Sequence, residues 1–129
     1  MPKKRLRVHF RLPKYVASPP DAWRQQIHAA AEQAFDDAHV AIARSDRIQL
    51  EMILYLDRKL ETHDVDNRLK DVMDALQGLV QGRGEKRRDR SRLLPSDSQV
   101  FRVVVEKRPP PKNSHGLGHV TVRRYKPGG

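Results

Sequence analysis

The stretch that decides the fold runs from residue 64 to residue 76 and has the sequence DVDNRLKDVMDAL. At about 100° per residue in a helix, its apolar and polar positions fall on separate faces. The apolar face is formed by Leu69, Val72, Met73, Leu76, Leu79 and Val80, and the polar face by Asp66, Asn67, Lys70, Asp71, Asp74 and Gln77. Asp64 and Asp66 lie at or before the first turn, where backbone N–H groups favour a carboxylate. The pattern predicts a helix with one packed face and clustered acidic residues at its start.

These carboxylates allow two interpretations. Acidic residues at a helix start are common caps, and a polar outer face is common solvation, so the pattern alone fits a purely structural helix. The same carboxylates also suit a metal-binding or catalytic site. The rest of the chain favours this second interpretation, because an acidic cluster is unexpected in a protein that is otherwise strongly basic.

The composition sets the class of protein. The 129 residues include 26 Lys and Arg against 16 Asp and Glu, a formal net charge of +10 that favours polyanionic partners and phosphate binding. The absence of cysteine excludes disulfides, thiolate metal sites and cysteine nucleophiles. No apolar run approaches the length of a membrane span. We therefore expect a single domain over residues 1–129 that is soluble and intracellular, in the cytoplasm, and that binds a polyanionic partner rather than a membrane.

The hydrophobic pattern predicts the order strand, helix, strand, helix, strand, strand. Alternation predicts the first strand over Arg5–Leu12 and the longest, central strand over Arg47–Asp57. Ser18 is expected to cap a helix that begins at Pro19 and continues to about His39, with Trp23 in the core. The last two strands are expected over Val100–Lys107 and Val120–Tyr125. The predicted fold is an α/β (α+β) domain with a small mixed sheet of about four strands flanked by two main helices.

Two segments carry much of the basic charge. The first strand presents Arg5, Arg7 and Arg11 on its polar side, and this face either contacts phosphates or is a plain solvated strand face. Residues 83–94 form a predicted flexible insertion, in which the basic residues are Arg83, Lys86, Arg87, Arg88, Arg90 and Arg92. Because residues 83–92 include no apolar residue, this part cannot build a core, and either ordering on nucleic acid or simple solvation explains it.

One more carboxylate follows the acidic helix. Asp97 begins the next strand, and short connections usually place that strand beside the one that feeds the helix. Asp97 is then expected to approach Asp64 and Asp66. Three carboxylates on a cationic protein would repel phosphate unless a cation intervenes, and Mg²⁺ takes oxygen ligands and bridges carboxylates to phosphates.

The string Asp64-x-Asp66-Asn67-x-x-Lys70-x-x-x-Asp74-Ala75-Leu76, followed by Asp97-x-Gln99-Val100, resembles the RusA family of Holliday-junction resolvases. The resemblance covers roughly residues 47–125 in element order. It implies a homodimeric, magnesium-dependent endodeoxyribonuclease that resolves four-way DNA junctions by paired symmetric nicks during recombination and repair.

The resemblance also assigns roles by position. It implies that Asp64, Asp66 and Asp97 bind Mg²⁺, with Mn²⁺ as an alternative, and that Lys70 is the essential basic residue. Asn67 and Asp74 match the motif as supporting residues. The chain departs from the family in its long basic insertion, in Ser96 where a second acid often stands, and in the loop at residues 12–16. These departures bear on junction specificity more than on the chemistry.

Two other functions remain open at this point. One is a non-catalytic, basic nucleic-acid-binding protein whose acidic residues are helix caps and surface charge. The other is a metal-dependent nuclease that acts on other branched DNA or on RNA. Magnesium-dependent nicking separates the first alternative from a resolvase, and a panel of substrates separates the second.

Overall fold

A computed structural model of the protein describes residues 5–16, 19, 21–55, 65–81, 88–89, 91–109 and 118–128. The strands in these ranges are β1 (Arg7–Leu12), β2 (Ile48–Tyr55), β3 (Leu79–Gln81), β4 (Arg88–Asp89), β5 (Val100–Arg108) and β6 (Gly118–Arg124). The α-helices are α1 (Ala22–Ala38) and α2 (Val65–Leu76), and a short 3₁₀ helix over Asp97–Gln99 leads directly into β5.

Four of the strands form one mixed sheet in the order β1-β6-β2-β5. β6 pairs antiparallel with both β1 and β2, whereas β5 pairs in parallel with β2. The chain therefore crosses from β2 through α2 to its parallel neighbour β5. The predicted fold class is confirmed, as are the interior position of the second strand and the adjacency of the strands on either side of the acidic helix. The second strand is not the longest among the described residues, because β5 has nine residues and β2 has eight.

The core lies between one face of this sheet and the two helices. In β1 the burial alternates strictly, with Val8, Phe10 and Leu12 buried and the residues between them exposed. The helices contribute Trp23, Ile27, Ala31 and Phe35 from α1 and Val72, Ala75 and Leu76 from α2. Burying an aliphatic or aromatic side chain of this size stabilises a fold by about 1.5–3 kcal/mol, so this shared core fixes the helices on the sheet.

Helix α1 begins later than the sequence predicts. Its N-cap is Asp21 and its first residue is Ala22, so Pro19 precedes the helix and does not occupy its first position. Ser18, the predicted cap, lies outside the described residues. The core position of Trp23 is confirmed, because the side chain is 1% exposed and its indole N–H donates to the carbonyl of Pro13 over 2.9 Å.

Helix α2 ends at Leu76, earlier than predicted. Gly78 adopts a φ of 80° and turns the chain into β3, so the prediction that Leu79 and Val80 extend the apolar helix face is wrong. Val80 is nevertheless completely buried, but as part of a strand. The last carbonyl of the helix, that of Leu76, accepts the N–H groups of Leu93 and Leu94, both over 2.9 Å.

Part of the predicted flexible insertion has regular structure. Residues 88–89 form β4, which pairs antiparallel with β3, and Leu94 is buried at 2% exposure. Ser91 is also anchored, since its hydroxyl donates to Glu32 over 2.6 Å and its carbonyl lies 2.8 Å from Nε2 of His28. Residues 82–87 and 90 lie outside the described residues. Among the helices in the described ranges, none is long and apolar enough to cross a membrane.

Candidate active site

The polar face of α2 opens into a pocket of about 280 Å³. Lys70, Asp74 and Gln77 line it from the helix, Leu69 and Met73 form its apolar side, and Asp97 closes it from the segment that precedes β5. The spacing of 70, 74 and 77 places these three side chains one above the other on a single helix face. The structure thus brings together three residues of the predicted site, Lys70, Asp74 and Asp97.

Asp97 is held in place by its neighbours. Ser96 and Gln99 form a capping box around it, in which the Ser96 hydroxyl accepts the N–H of Ser98 over 3.2 Å and Oε1 of Gln99 accepts the N–H of Ser96 over 3.1 Å. The backbone N–H of Asp97 donates to Oε1 of Gln77 over 3.3 Å. These bonds fix the 3₁₀ helix against the end of α2, so the Asp97 carboxylate stands at the pocket mouth with an exposed side chain.

Two glutamines in this arrangement were missed by the sequence analysis as site residues. Gln77 contacts Asp97 directly, and Gln99 anchors the 3₁₀ helix through Nε2, which donates to the carbonyls of Ala43 and Asp46 over 2.8 and 2.9 Å. The Ser96-x-x-Gln99 spacing is the signature of a capping box and could have revealed the turn. No local pattern identifies Gln77, because its role depends on a tertiary contact.

Asp74 also contacts the other helix. Nη1 of Arg24 lies 3.8 Å from Oδ2 of Asp74, and the same guanidinium pairs with Asp21 at the start of α1. Arg24 was not among the predicted site residues. Lys70 lies one turn before Asp74 on the same helix and lines the same pocket, so Asp74 has two cationic neighbours, Lys70 on α2 and Arg24 on α1.

Asp71 lies on α2 outside the pocket lining and has a structural environment. Burial raises the pKa of its carboxyl, while the nearby guanidinium of Arg68 opposes this shift. Nη2 of Arg68 is 3.8 Å from Asp71, and the Arg68 guanidinium lies over the ring of Tyr15, 4.1 Å from its centroid. Asp71 and Arg68 therefore join α2 to the segment after β1 and are separate from the candidate site.

The predicted acidic pair is only partly described. Asp64 lies outside the described residues, as does the side chain of Asp66, whose backbone belongs to the first turn of α2. At about 1.5 Å per residue, Asp66 precedes Lys70 by about 6 Å along the axis and Gln77 by about 16 Å. Asp97 contacts Gln77 at the far end of the helix, and the pocket extends from there as far as Lys70. The grouping of Asp97 with Asp64 and Asp66 stays a prediction.

The pocket lining offers ligands that suit a divalent cation. In the described lining, the potential ligands are oxygens from the Asp74 and Asp97 carboxylates and from the Gln77 amide, which are the atoms that Mg²⁺ prefers. The described residues alone contain no group of three or more His, Cys, Asp or Glu that could hold a metal ion. The oxygen chemistry fits Mg²⁺, and a complete site requires the carboxylates predicted at the start of α2.

The face of the sheet opposite the two described helices, called here the open face, carries the basic side chains of the predicted first strand. Arg7, His9 and Arg11 of β1 are exposed on it, and the register places Arg7 opposite Arg123 and Arg11 opposite His119 of β6. Further exposed arginines on β5, Arg102 and Arg108, follow in the same sheet. Two carboxylates reduce the charge, since Glu51 pairs with Arg123 over 2.7 Å and Glu106 with Arg108 over 2.9 Å.

The other predicted DNA contacts lie only partly within the described residues. Arg5 and Arg92 are exposed within the described residues. Arg83, Lys86, Arg87 and Arg90 lie outside them, and for Arg88 only the backbone, in β4, is described. Their contribution to DNA binding stays a prediction.

Comparisons with known proteins add no assignment. A scan against models of protein families gave no match, and a search of curated proteins gave no significant match.

Proposed function

We propose that this protein is a magnesium-dependent, structure-specific endodeoxyribonuclease that resolves four-way DNA junctions as a homodimer. The observation that supports this most is the pocket in which Lys70, Asp74 and Asp97 meet although they come from two separate segments of the chain. A cation-binding oxygen cluster beside an ammonium group, on a protein with a net charge of +10, suits cleavage of a phosphodiester. Action on DNA junctions implies a cytoplasmic protein associated with DNA.

Asp64, Asp66 and Asp97 would hold Mg²⁺, or Mn²⁺ in its place. When bound, the ion supplies Lewis acidity toward the scissile phosphate and lowers the pKa of a coordinated water. In the overall reaction the water oxygen bonds to phosphorus, one P–O ester bond breaks, and the departing oxygen takes a proton. The three carboxylates would orient the phosphate by fixing the position of the cation.

Lys70 acts on the phosphate itself. Its side chain is exposed in the pocket, and a compact ammonium placed there stabilises the negative charge that grows on the phosphate oxygens. Loss of one such preorganised group typically lowers a rate by about 100- to 1000-fold. Asp74, one turn further along α2, orients Lys70, and Asn67 supports the same turn of the helix.

DNA binding is assigned to the basic surfaces. Arg5, Arg7 and Arg11 would contact backbone phosphates on the open face, together with the basic residues of the insertion, which are Arg83, Lys86, Arg87, Arg88, Arg90 and Arg92. Phosphate contacts position DNA without reading its sequence, which suits recognition of a junction by shape. Binding of this kind weakens steeply as the salt concentration rises.

The decisive experiment incubates the protein with a labelled mobile four-way junction, with and without Mg²⁺, beside flap, duplex, single-stranded DNA and RNA substrates. We expect paired nicks in the junction only when the metal is present. Asp97→Asn should abolish nicking, whereas the control Asp36→Asn, an exposed carboxylate on α1, should cut like the unaltered protein. Nicking by Asp97→Asn at the unaltered rate would refute the site.

The substrate panel also decides between the alternatives. Junction binding without nicking in Mg²⁺ or Mn²⁺ would favour the non-catalytic binding protein. Faster cleavage of flap DNA or of RNA than of the junction would favour a nuclease with another substrate.

A further inference from the structure

Strand β5 forms an edge of the four-stranded sheet, where its described pairing is with β2 alone. The strand is nine residues long and exposed along most of its length. Phe101, Val103 and Val104 are 54%, 39% and 39% exposed. Phe101 lies at a shift in the register with β2, whereas Val103 and Val104 belong to the regularly paired part of the strand. A long edge strand with exposed valines is a template for pairing with another strand.

Both faces of β5 contribute to this exposure. The register with β2 aligns Val103 with Leu50 and Val105 with Met52, so these valines lie on the face that carries the core. The same register aligns Val104 with Glu51, which belongs to the open face. Because Val103 is 39% exposed on the core face, the helices leave this part of the edge uncovered.

Two copies of β5 in antiparallel orientation have complementary charges and matching apolar residues. In an antiparallel pair centred on Val104, Arg102 of each copy faces Glu106 of the other, and Val103 faces Val105. Opposite charges and β-branched residues directly across from one another are favourable cross-strand pairs. We propose that β5 pairs antiparallel with β5 of a second copy of this chain, about a two-fold axis that passes through Val104.

The neighbouring symmetric registers form less favourable cross-strand pairs. A two-fold axis perpendicular to the sheet pairs residues whose side chains lie on the same face. The axis must therefore lie between the two copies of one residue, and each alternative register is centred on a different residue. A register centred on Arg102 places the two Arg102 guanidinium groups of the dimer opposite each other. A register centred on Val105 places Arg102 of one copy opposite Arg108 of the other. Centring on Val103 faces Arg102 with Val104. Only the Val104 centre gives two opposite-charge pairs, so it defines one register.

The size of the contact sets its expected strength. Nine residues at about 3.3 Å each give an interface about 30 Å long, and one strand pair buries less than the roughly 800 Å² per partner of a stable complex. Interfaces of this size associate weakly, so we expect a dissociation constant on the order of micromolar. The pairing would join two four-stranded sheets into one of eight strands, with both open faces on the same side.

The experiment exploits the predicted charge pairs in the full-length chain without DNA. Analytical ultracentrifugation over about 1–200 µM, a range around the expected constant, measures self-association of the unaltered chain, R102E, E106R, the double variant and the control R44E. R102E and E106R each place like charges opposite one another, and each should weaken self-association at least tenfold. The double variant should restore it, and R44E, an exposed arginine away from β5, should leave it unchanged.

An equimolar mixture gives the strictest test. Chains of R102E carry two acidic residues at the paired positions and chains of E106R two basic ones, so the two variants should associate with each other although neither associates with itself. Circular dichroism spectra identical to that of the unaltered chain verify the fold of each. A monomeric unaltered chain, or a mixture that stays monomeric, would overturn the pairing. Since nuclease activity is not measured, this result stands apart from the outcome of the cleavage assay.

Discussion

Gly118 gives the most direct test of the sheet described above. It opens β6 with a φ of 156° and faces β2, where a Cβ added to it would lie 1.7 Å from the carbonyl oxygen of Ile53 and 2.8 Å from the carbonyl carbon. Side chains essentially never approach backbone atoms so closely. Gly118→Ala therefore has to displace the start of β6 from β2, since the obstructing atoms belong to the backbone.

The expected loss follows from the pairs that this displacement breaks. Gly118 lies opposite Leu54 of β2 and Leu12 of β1, so two or three backbone hydrogen bonds weaken together. At about 1 kcal/mol each, and with backbone strain of about 1 kcal/mol, the free energy of unfolding should fall by about 3–4 kcal/mol. For a domain of 129 residues this lowers Tm by about 10 °C or more.

A second glycine supplies the matched control. Gly128 also has a positive φ, of 72°, but a Cβ added there meets nothing within 4 Å. Gly128→Ala should therefore lose only about 1–2 kcal/mol, the cost of the left-handed conformation alone. Thermal unfolding followed by fluorescence of Trp23, and urea unfolding, measure both variants. Equal Tm values for the two variants would show that β6 does not approach β2 as described.

Three further predictions concern function and pH. Asp66→Asn should abolish junction nicking yet bind the junction at least as tightly as the unaltered chain, because a charge that repels phosphate is removed; a mobility shift assay measures this. Replacing Arg7 and Arg11 together by Gln should weaken junction binding and reduce the slope of log affinity against log salt by about 2. Burial, with smaller effects of His9 and Arg11, lowers the pKa of His119, so the unfolded chain takes up this proton first and stability should fall as the pH drops below about 6.5. His119→Gln should remove that part of the pH dependence in urea titrations.

Each of these predictions has a contradicting outcome. Weak junction binding by the Asp66 variant would mean that this carboxylate supports binding rather than cleavage. An unchanged salt slope would exclude the first strand from the contact with DNA. If His119→Gln loses stability at low pH as steeply as the unaltered chain, other groups cause that loss.

The sequence correctly predicted the elements in which apolar residues repeat with a single period. Alternation identified β1, in which one face is buried, and β2, in which the apolar residues Leu50, Met52 and Leu54 share the core face. The strand-helix-strand order around α2 predicted that β5 would pair beside β2. Charge spacing on α2 correctly grouped Lys70 with Asp74, since helical geometry alone fixes that relation. Tertiary packing was predicted only where the connection between two elements allows a single placement of one beside the other.

The errors arose where local signals are ambiguous. Leu79 and Val80 fit an apolar helix face and a short buried strand equally well, and only the pairing with β4 decides between them. The Ser18-Pro19 pair resembles a helix start, yet α1 begins beyond it. The contacts of Arg24 and Gln77 join segments that are distant in sequence, so no pattern of spacing could have identified them.

The anchoring around the end of α2 bears on how this protein can diversify. The chain on both sides of residues 82–87 is held independently of what lies between, by the β3–β4 pair and by the two N–H groups that the Leu76 carbonyl accepts. Insertions, deletions or charge changes within those six positions would leave the 3₁₀ helix seated on Gln77. Selection can therefore alter the basic segment, and with it the proposed contacts with nucleic acid, while the arrangement of Lys70, Asp74 and Asp97 is inherited intact.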